Sequence, residues 1–457
     1  MRIGRWNLAL VIAAALAAAT HEAAGQAGDA VDVVDVTALG VSGDGATSNT
    51  AALQAAIDGA AGRGGGTLRF PAGRYVTGTI QLKDNVRLHL DSGATILGST
   101  DAADYRNVDP FMAGDGVPLG YALIVALDAT NVGVGGTGTI DGRGAALAAT
   151  QTPYAVRPFL MRWIRCRGVS VRDLTLRDPG AWTLHFFQCR DVTAEGLTIR
   201  SYDTRLPNND GIDIDSCQDV RVARCDIESG DDAICLKATS SVPCRDVSVS
   251  DCRLKTRCNA IKLGTESLGD FSDIRVSDCD VRDIGMAGVA RYTVDGGHMT
   301  GVAVENVSMD RVSVPVSVRL GARLKTFRAG DVAKPVGVLR DVSLKRLRAT
   351  RAGRIGLLVN GIPGHPVESL TLEDIAIALP GGGRASDADV QLPEKEAAYP
   401  EMNMFGRTFP AGGAYLRHVK GLRASNVRFT FARPDPRPPA VLIDVEGATA
   451  ADFTAAP

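Results

Sequence analysis

Three aspartates in two short segments form the group of residues best suited to chemistry. The segments read Asn-Asn-Asp-Gly-Ile-Asp-Ile at 208–214 and Gly-Asp-Asp-Ala-Ile-Cys-Leu at 230–236, so Asp210 aligns with Asp232. Side chains alternate between the two faces of a strand, and on neighbouring strands Asp210 and Asp232 would lie about 4.8 Å apart. Asp231 follows a glycine, where the chain can turn and let two consecutive carboxyl groups face one cleft. Repulsion in such a cluster raises one pKa and keeps a proton available, which predicts acid–base catalysis by these three residues.

The elements around the aspartates repeat with a nearly constant period. The phrase apolar-x-apolar-x-turn-apolar-x-apolar begins at residues 169, 192, 220, 247, 274 and 302, at intervals of 23, 28, 27, 27 and 28. A period of this size, built from short strands with almost no helical pattern, is typical of a solenoid of stacked strands. No Asn/Cys-x-Leu helix segment follows the strands, which argues against a leucine-rich repeat. The sequence therefore predicts an all-β, single-stranded parallel β-helix in place of the two or three domains that 457 residues suggest.

Seven of the nine cysteines follow the same repeat. Equivalent positions of a solenoid stack, so these residues are predicted to form two interior rows of small apolar side chains. Disulfides between stacked coils are possible by distance, but reduced rows are favoured. One row is Cys166, Cys189, Cys217 and Cys244, each three residues before a repeat start, and the other is Cys225, Cys252 and Cys279, each five residues after one.

The two ends of the chain have their own patterns. The N-terminus combines a basic start, an apolar run of about 12 residues and small residues, which predicts a signal peptide, because a bilayer span needs about 20 residues. We therefore expect an exported protein, periplasmic or extracellular. A cap is predicted to contain a short helix over residues 50–61 with Asn49 at its N-cap. The predicted segments are the signal peptide at 1–27, the cap at 28–85, the β-helix at 86–446 and a C-terminal tail at 447–457.

An insertion at residues 380–416, called the flap below, interrupts the last coils. It is rich in Pro, Gly and acidic residues. A loop of this length is either disordered or functional. Its aromatic and methionine side chains favour a packed segment that covers the cleft, with Tyr399-Pro400-Glu401 over the substrate.

The order of the short motifs resembles that of glycoside hydrolase family 28, the polygalacturonases and rhamnogalacturonases. That family carries Asn-Thr-Asp, Gly-(Gln)-Asp-Asp, Gly-His-Gly and Arg-Ile-Lys on successive coils; residues 208–210 are similar to the first motif and residues 230–232 to the second. The resemblance runs from about residue 43 to about residue 446. It implies a right-handed, pectin-lyase-like β-helix in which Asp231 is the general acid while Asp210 and Asp232 position the attacking water.

The spacing of these carboxyl groups bears on the stereochemistry. Inverting glycosidases hold their two carboxyl groups about 6.5–9.5 Å apart, which leaves room for a water molecule. Asp231 is offset by one residue and is therefore diagonal to Asp210, at about 7–8 Å. This spacing favours inversion.

The third and fourth motifs differ from the family pattern. Asn259 stands where the family has its histidine, and Ala290 and Tyr292 stand where it has two cations. Those cations bind the galacturonate carboxylate in typical members, so we expect poor activity on unsubstituted polygalacturonate. The expected substrate carries fewer carboxylates near the cleaved bond, such as a rhamnose-containing or capped pectic oligosaccharide. Lys262 and Lys237 are outward positions that can compensate, although an exposed Lys on a solenoid is more often a solubilising charge.

Outward-facing residues near the aspartates are the candidates for substrate binding. Tyr292 would offer a ring face to a less charged sugar. His185 falls in phase with Asp213 and would edge the cleft, with an ordinary surface position as the equal alternative. Arg291 is predicted to face inward, which requires a bulge or an acidic partner. The full predicted set is Asn208, Asp213, Lys237, Asn259, Lys262, Tyr292 and His185.

Composition and net charge restrict the kinds of molecule that this protein is expected to bind. Lys plus Arg is 50 and Asp plus Glu is 52, and the resulting net charge of −2 argues against a nucleic-acid partner. The six histidines show no metal-ligand spacing, so no metal and no cofactor are expected. We expect a monomer that binds a pectic oligo- or polysaccharide and no membrane. Two other classes stay open: a lyase or epimerase on uronic-acid polymers with a Lys or Arg base and often Ca²⁺, and a non-catalytic carbohydrate-binding solenoid.

Overall fold

Each copy of the repeat folds into one coil of a right-handed parallel β-helix, as predicted. The computed structural model describes residues 32–202 and 206–456, so the predicted signal peptide at 1–27 lies outside the described residues. From Val33 onward every complete coil contributes strands to three parallel sheets. Val192 pairs in register with Val169 of the preceding coil and with Val220 of the next, which confirms the predicted repeat.

The corner between the first and second strands of a coil explains the turn-like fifth position of the repeat. Asp173, Asp251 and Asp278 occupy this corner with φ of +61°, +57° and +56°. Asp and Asn tolerate this left-handed conformation better than most residues with a Cβ. The repeat therefore encodes its corners as well as its strands.

The three sheets run the length of the solenoid. The first contains Val33–Asp35, Gly66–Phe70, Val86–Leu90, Thr130–Gly136, Arg167–Arg172, Arg190–Glu195, Gln218–Ala223, Cys244–Ser250 and Phe271–Ser277. The second contains Asp44–Ser48, Gly73–Thr77, Ala94–Gly98, Thr139–Asp141, Thr175–Arg177, Thr198–Arg200, Asp226–Ser229 and Arg253–Thr256. The third contains Ile80–Leu82, Pro118–Leu127, Phe159–Ile164, Leu184–Phe187, Ile212–Asp215, Ile234–Ala238, Ile261–Ser267 and Leu357–Asn360.

In the later coils the strands are longer and continue around the corners from one sheet to the next. These strands are Asp280–Thr293, Met299–Leu320, Leu339–Thr350, Val367–Leu379, Ala414–Phe431 and Ala440–Gly447. Asn107–Met112 pairs antiparallel with Pro118–Leu127 and forms a hairpin beside the third sheet. The expected tail at 447–457 contains the strand Phe453–Ala456, which pairs with Ala414–Phe431, so the sheet continues into it.

The interior is a continuous apolar core that contains the predicted cysteine rows. The N–H groups of Arg253 and Asp280 donate to the carbonyls of Cys225 and Cys252, each at 2.9 Å, so Cys225, Cys252 and Cys279 follow one another from coil to coil as predicted. In the other row the N–H of Cys189 lies 3.2 Å from Sγ of Cys217. All nine cysteines are free thiols.

The predicted cap helix closes the N-terminal end of the core and spans Thr50–Gly62. Asn49 is at its N-cap, but its side chain makes no capping bond. The Asn49 amide donates instead to the carbonyls of Ser42 and Thr47, and these bonds tie the preceding loop to the helix. The second α-helix is Gly144–Ala149, and the 3-10 helices are Val36–Leu39, Ala102–Asp104, Ala385–Asp389, Met402–Phe405 and Ala450–Asp452. Within the described residues no helix has the length and apolar character needed to cross a membrane.

Arg291 faces inward, as the strand alternation predicts, but neither expected solution is found. It pairs with Val318 in a continuous register, so no bulge occurs at this position. The guanidinium donates one hydrogen bond, from Nη1 to the carbonyl of Val302 at 3.3 Å. Nε and Nη2 are buried without a hydrogen-bond partner among the described residues. This burial lowers the pKa of Arg291 to about 9.

The flap is a packed segment, as its aromatic residues predicted. Phe405 and Phe409 are buried in a small apolar cluster with Leu392 of the flap and Leu358 of the third sheet. The last three residues of the predicted insertion, 414–416, belong to the strand Ala414–Phe431. The flap is therefore fixed against the coils beside the predicted active site.

Candidate active site

Asp210, Asp232 and Asn259 occupy the same corner of three successive coils, each just before a strand of the third sheet. The N–H of Gly211 donates to the carbonyl of Asp232 at 2.9 Å, and the N–H of Ala233 donates to the carbonyl of Asn259 at 2.9 Å. The strands that follow pair Ile212 with Ile234, in the register predicted from the sequence. The predicted stacking of Asp210 on Asp232 is therefore present.

The glycine after Asp210 is required by this stacking. A Cβ on Gly211 would lie 2.4 Å from the carbonyl oxygen of Ala233 in the next coil, closer than any side chain can approach. The Asn-Asn-Asp-Gly segment therefore owes its glycine to the close approach of two coils.

The corner opens into a cleft of about 340 Å³ between the third sheet, the 113–115 loop and the flap. All three predicted catalytic aspartates line it. Its lining residues are Ala113, Gly114, Asp115, Trp182, Asn208, Asp210, Asp231, Asp232, Lys237, Cys258, Lys262, Glu266, Tyr399 and Glu401.

Asp232 is the ionised carboxylate of the group. Its Oδ1 accepts hydrogen bonds from the Asn259 N–H at 3.1 Å and from Nδ2 of Asn259 at 2.8 Å. Its Oδ2 accepts from Nζ of Lys262 at 2.8 Å. Burial raises the pKa of Asp232, but the ammonium groups of Lys262 and Lys237 outweigh burial and hold the pKa at about 2.

Asp231 and Asp210 are shifted in the opposite direction. Burial, followed by the charge of Asp232, raises the pKa of Asp231, which is half-buried at the cleft surface. Burial and the charges of Asp213 and Asp231 raise the pKa of Asp210 well above its usual range. Oδ1 of Asp210 has no hydrogen-bond partner among the described residues. Of the three aspartates, Asp232 is thus a stabilised carboxylate next to two carboxyl groups that favour their protonated form.

A second layer of charges lies beneath the aspartates. Nζ of Lys237 is 3.3 Å from Oε2 of Glu266, 3.5 Å from Oδ1 of Asp213 and 4.6 Å from the centre of the Trp182 ring. Burial opposes the charge on Lys237, but Cys235, Glu266 and Asp213 outweigh it and raise its pKa. Both lysines of the cleft are therefore protonated and already paired with acids.

The predicted substrate-binding residues divide into two groups. Asn208, Lys237 and Lys262 line the cleft, and Nδ2 of Asn208 donates to Asp115 at 3.1 Å. The other four do not line it. Asn259 is 3% exposed and holds Asp232, while Asp213 is fully buried beside Lys237.

Two of the predicted contacts are wrong because the side chains are buried elsewhere. His185 is 0% exposed and packs between the rings of Phe159 and Trp182, at 5.2 and 5.0 Å between ring centres. It is therefore neither at the cleft edge nor on the surface, and burial lowers its pKa to about 4. Tyr292 is 3% exposed and its hydroxyl bonds to the Ser317 hydroxyl at 3.0 Å, so it offers no ring face to a sugar.

Sequence reasoning missed several residues of the cleft. Glu266 was within reach, because counting alternate residues from Lys262 along the strand arrives at it. Asp115 belongs to a loop outside the repeat, and no periodic signal marks it. Trp182 occupies the corner of Asp210 one coil earlier, since the N–H of Thr183 donates to the carbonyl of Asp210 at 2.9 Å, and the register of His185 with Asp213 could have located it. Cys258 precedes Asn259 in the third motif, but its side chain turns toward Asp231 and Asp232.

The same corner could hold a cation through Asp231, Asp232 and Cys258, whose ligand atoms lie within 4.8 Å of one another. The Lys262 ammonium already neutralises Asp232, however, and burial raises the pKa of the Cys258 thiol, which opposes the thiolate that a metal needs. The donor set therefore fits a metal poorly.

Comparison with known proteins relates the sequence to one enzyme family. The family model for glycosyl hydrolases family 28 matches residues 65–398. A probable polygalacturonase of Vitis vinifera is 32% identical over 209 residues, which are 43% of this chain and 42% of that protein. An exo-poly-alpha-D-galacturonosidase of Dickeya chrysanthemi is 28% identical over 251 residues, covering 44% of this chain and 41% of that protein. The matched part thus spans less than half the length of these relatives.

A comparison with solved structures finds the same fold. The structure of a family 28 exopolygalacturonase from Yersinia enterocolitica superposes with a TM-score of 0.71 at 19% identity, over 93% of this chain and 77% of that one. At this identity the likeness concerns the fold alone. Because the family model covers well over half of the residues, including the whole aspartate cluster, the chain belongs to glycosyl hydrolases family 28.

Proposed function

We propose that this protein is an exported glycoside hydrolase that cleaves pectic, galacturonate- or rhamnose-containing oligo- or polysaccharides with inversion. The observation that carries the proposal is the contact of Lys262 with Asp232 at 2.8 Å, beside an Asp231 carboxyl group that has no ion-pair partner among the described residues. Asp231 has a raised pKa and Asp232 a pKa held at about 2. Two carboxyl groups separated in this way can serve as proton donor and as base in one site.

Asp231 supplies the proton. Its carboxyl group is the more accessible of the two neighbours and lines the cleft, so it can reach the glycosidic oxygen of a bound substrate. Protonation of that oxygen makes it a better leaving group as the bond to the anomeric carbon breaks.

Asp232 and Asp210 hold the attacking water on the other side of the sugar. A carboxylate offers about four lone-pair positions, and Asn259 and Lys262 occupy three of those on Asp232. One position is left to accept a proton from water. The buried Oδ1 of Asp210, which has no hydrogen-bond partner among the described residues, can accept or donate the second bond to that water. Asp231 lies one residue outside the in-register pair of Asp210 and Asp232, and an acid set apart from the residues that hold the water is the arrangement that inversion needs.

The substrate carries few carboxylates near the cleaved bond. Ala290 stands in place of a family cation and is fully buried. Lys262 and Lys237 are both committed to acids of the cleft. Neither is a free cation that would attract a galacturonate carboxylate.

The observed charges favour hydrolysis over the lyase or epimerase alternative. A lysine base must be neutral, whereas the acids around Lys262 and Lys237 raise the pKa of both. Export is proposed from the pattern of residues 1–27, and a monomer from the continuous apolar core that the coils of one chain enclose.

The test is Asp231→Asn, which removes the proton donor and keeps the shape of the side chain. We expect kcat/KM on a cleaved pectic oligosaccharide to fall by about 10²–10⁴, while substrate binding is largely kept. Asp219→Asn is the matched control, since Asp219 lies in the same coil, is exposed and does not line the cleft. Full activity of Asp231→Asn would show that another group is the acid.

A further inference from the structure

The flap presents two side chains to the cleft from a backbone that is firmly anchored. Nη2 of Arg319 donates to the carbonyls of Glu394 and Lys395 at 2.8 and 3.1 Å. Arg417 donates to the carbonyls of Leu392 and Pro393 at 2.7 and 3.0 Å. These bonds and the packing of the flap aromatics make this segment a wall of the site.

Glu401 is held at the point where this wall meets the catalytic corner. Its N–H donates to the carbonyl of Tyr399 at 2.9 Å, and its carbonyl accepts from the N–H of Met404 at 3.0 Å, in the turn that begins the 3-10 helix. Its carboxyl group lines the same cleft as Asp231 and Lys262. No hydrogen bond or ion pair joins this carboxyl group to another described residue.

The charges around Glu401 leave its carboxylate uncompensated. The cleft lining contains two acids that stay ionised, Asp232 and Glu266, because the lysine charges outweigh burial and hold both pKa values at about 2. Asp210 and Asp231 favour their protonated form. The two lysines of the cleft already pair with Asp232 and Glu266. A sugar that enters between the flap and the catalytic acids therefore meets an acceptor for its hydroxyl groups and a charge that repels a carboxylate.

We propose that Glu401 is a specificity-determining residue: it accepts hydrogen bonds from hydroxyl groups of the sugar bound in the cleft and excludes a uronic acid at that position. Specificity is often set by a repulsive element of this kind, because like charges in a desolvated site are costly. The inference rests on the proposed function, since it names the class of sugar, an uncharged one, that this site accepts. Tyr399 completes the wall, with its ring centre 5.8 Å from Nζ of Lys262.

The test compares two disaccharides that differ only in charge. One is α-1,4-digalacturonate and the other is the same disaccharide with both carboxyl groups reduced to hydroxymethyl groups. Dissociation constants are measured at neutral pH for the parent, for Glu401→Gln and for Glu396→Gln. Glu396 is the matched control, because it lies on the flap, is exposed and does not line the cleft.

We expect the parent and Glu396→Gln to bind the reduced disaccharide more tightly. Glu401→Gln should shift the affinity ratio by about tenfold toward digalacturonate, which corresponds to about 1.4 kcal/mol. An unchanged ratio in Glu401→Gln, or a parent that binds neither disaccharide or prefers digalacturonate, would overturn the proposal.

Hydrolysis measured on the same samples separates this inference from the proposed function. If the parent hydrolyses a pectic glycoside in an Asp231-dependent way but the affinity ratio does not respond to Glu401→Gln, the specificity role is wrong and the hydrolase stands. If the ratio shifts but no glycoside is cleaved, the specificity role stands and the hydrolase is wrong.

Discussion

At the scale of single residues, the site depends on the pairing of Lys262 with Asp232. The ammonium lies 2.8 Å from Oδ2 and both side chains are buried. An opposite charge at this distance lowers the pKa of a carboxyl group by about 1–3 units. The same contact neutralises the cation, so Lys262 keeps Asp232 ionised and is not available to a substrate carboxylate.

Replacing this lysine should change the pH dependence of the reaction. Asp232 must be ionised, so activity is lost as the pH falls through its pKa; Asp231 must be protonated, so activity is lost as the pH rises through the raised pKa of Asp231. Lys262→Met removes the main influence that lowers the pKa of Asp232. We therefore expect the acid limb of kcat/KM to move to higher pH by about 1–3 units.

Lys255→Met is the control for this profile, because Lys255 pairs with Glu228 at 2.9 Å and does not line the cleft. Thermal unfolding must accompany the measurement, since Asp232 loses a buried partner and breaking such a pair costs about 3–5 kcal/mol. An acid limb that stays in place in a folded Lys262→Met would mean that Asp232 is not the base.

The aspartates could be predicted from the sequence because they follow the period of the strands. The roles of Asn259 and Lys262 could not, since both depend on which oxygen of Asp232 each side chain reaches. His185 was misplaced for a similar reason. Its strand position was right, but alternation assigns a face and not the depth of burial. The rings of Phe159, on the neighbouring third-sheet strand, and of Trp182, three residues earlier, cover it.

At the scale of the elements, Arg291 places a buried charge on an otherwise apolar strand face. Its neighbours in the register, Leu263 and Val318, are aliphatic. Replacing a buried charge by an apolar residue of similar volume is often neutral or stabilising, by about 1–4 kcal/mol. Among the described residues Arg291 has one carbonyl acceptor and no acidic partner, so its replacement should be stabilising.

We therefore expect Arg291→Met to raise the free energy of unfolding by about 1–4 kcal/mol, measured by denaturant or thermal unfolding. Arg275→Met, at an exposed position of the first sheet in the same coil, should change it by no more than about 0.5 kcal/mol. A marked loss of stability in Arg291→Met alone would reveal a partner for the guanidinium.

At the scale of the whole molecule, the repeat predicted the stacked coils of the solenoid. It did not predict where the insertions between the coils pack. Stacked coils are specified by local pairs such as Val220 and Val247, which the sequence repeats. The flap and the loop carrying Asp115 close the cleft from coils far apart in the sequence. A period of 27 or 28 residues carries no information on where such insertions pack.

The function of the whole protein is tested most directly by the first product that it releases. An α-linked pectic oligosaccharide with few carboxylates is incubated with the parent and with Asp231→Asn, and the new reducing end is followed by NMR before mutarotation. We expect the β-anomer to appear first with the parent, and Asp231→Asn to release it about 10²–10⁴ times more slowly. Initial release of the α-anomer, an unsaturated product that absorbs in the ultraviolet, or binding without a new reducing end would contradict this expectation.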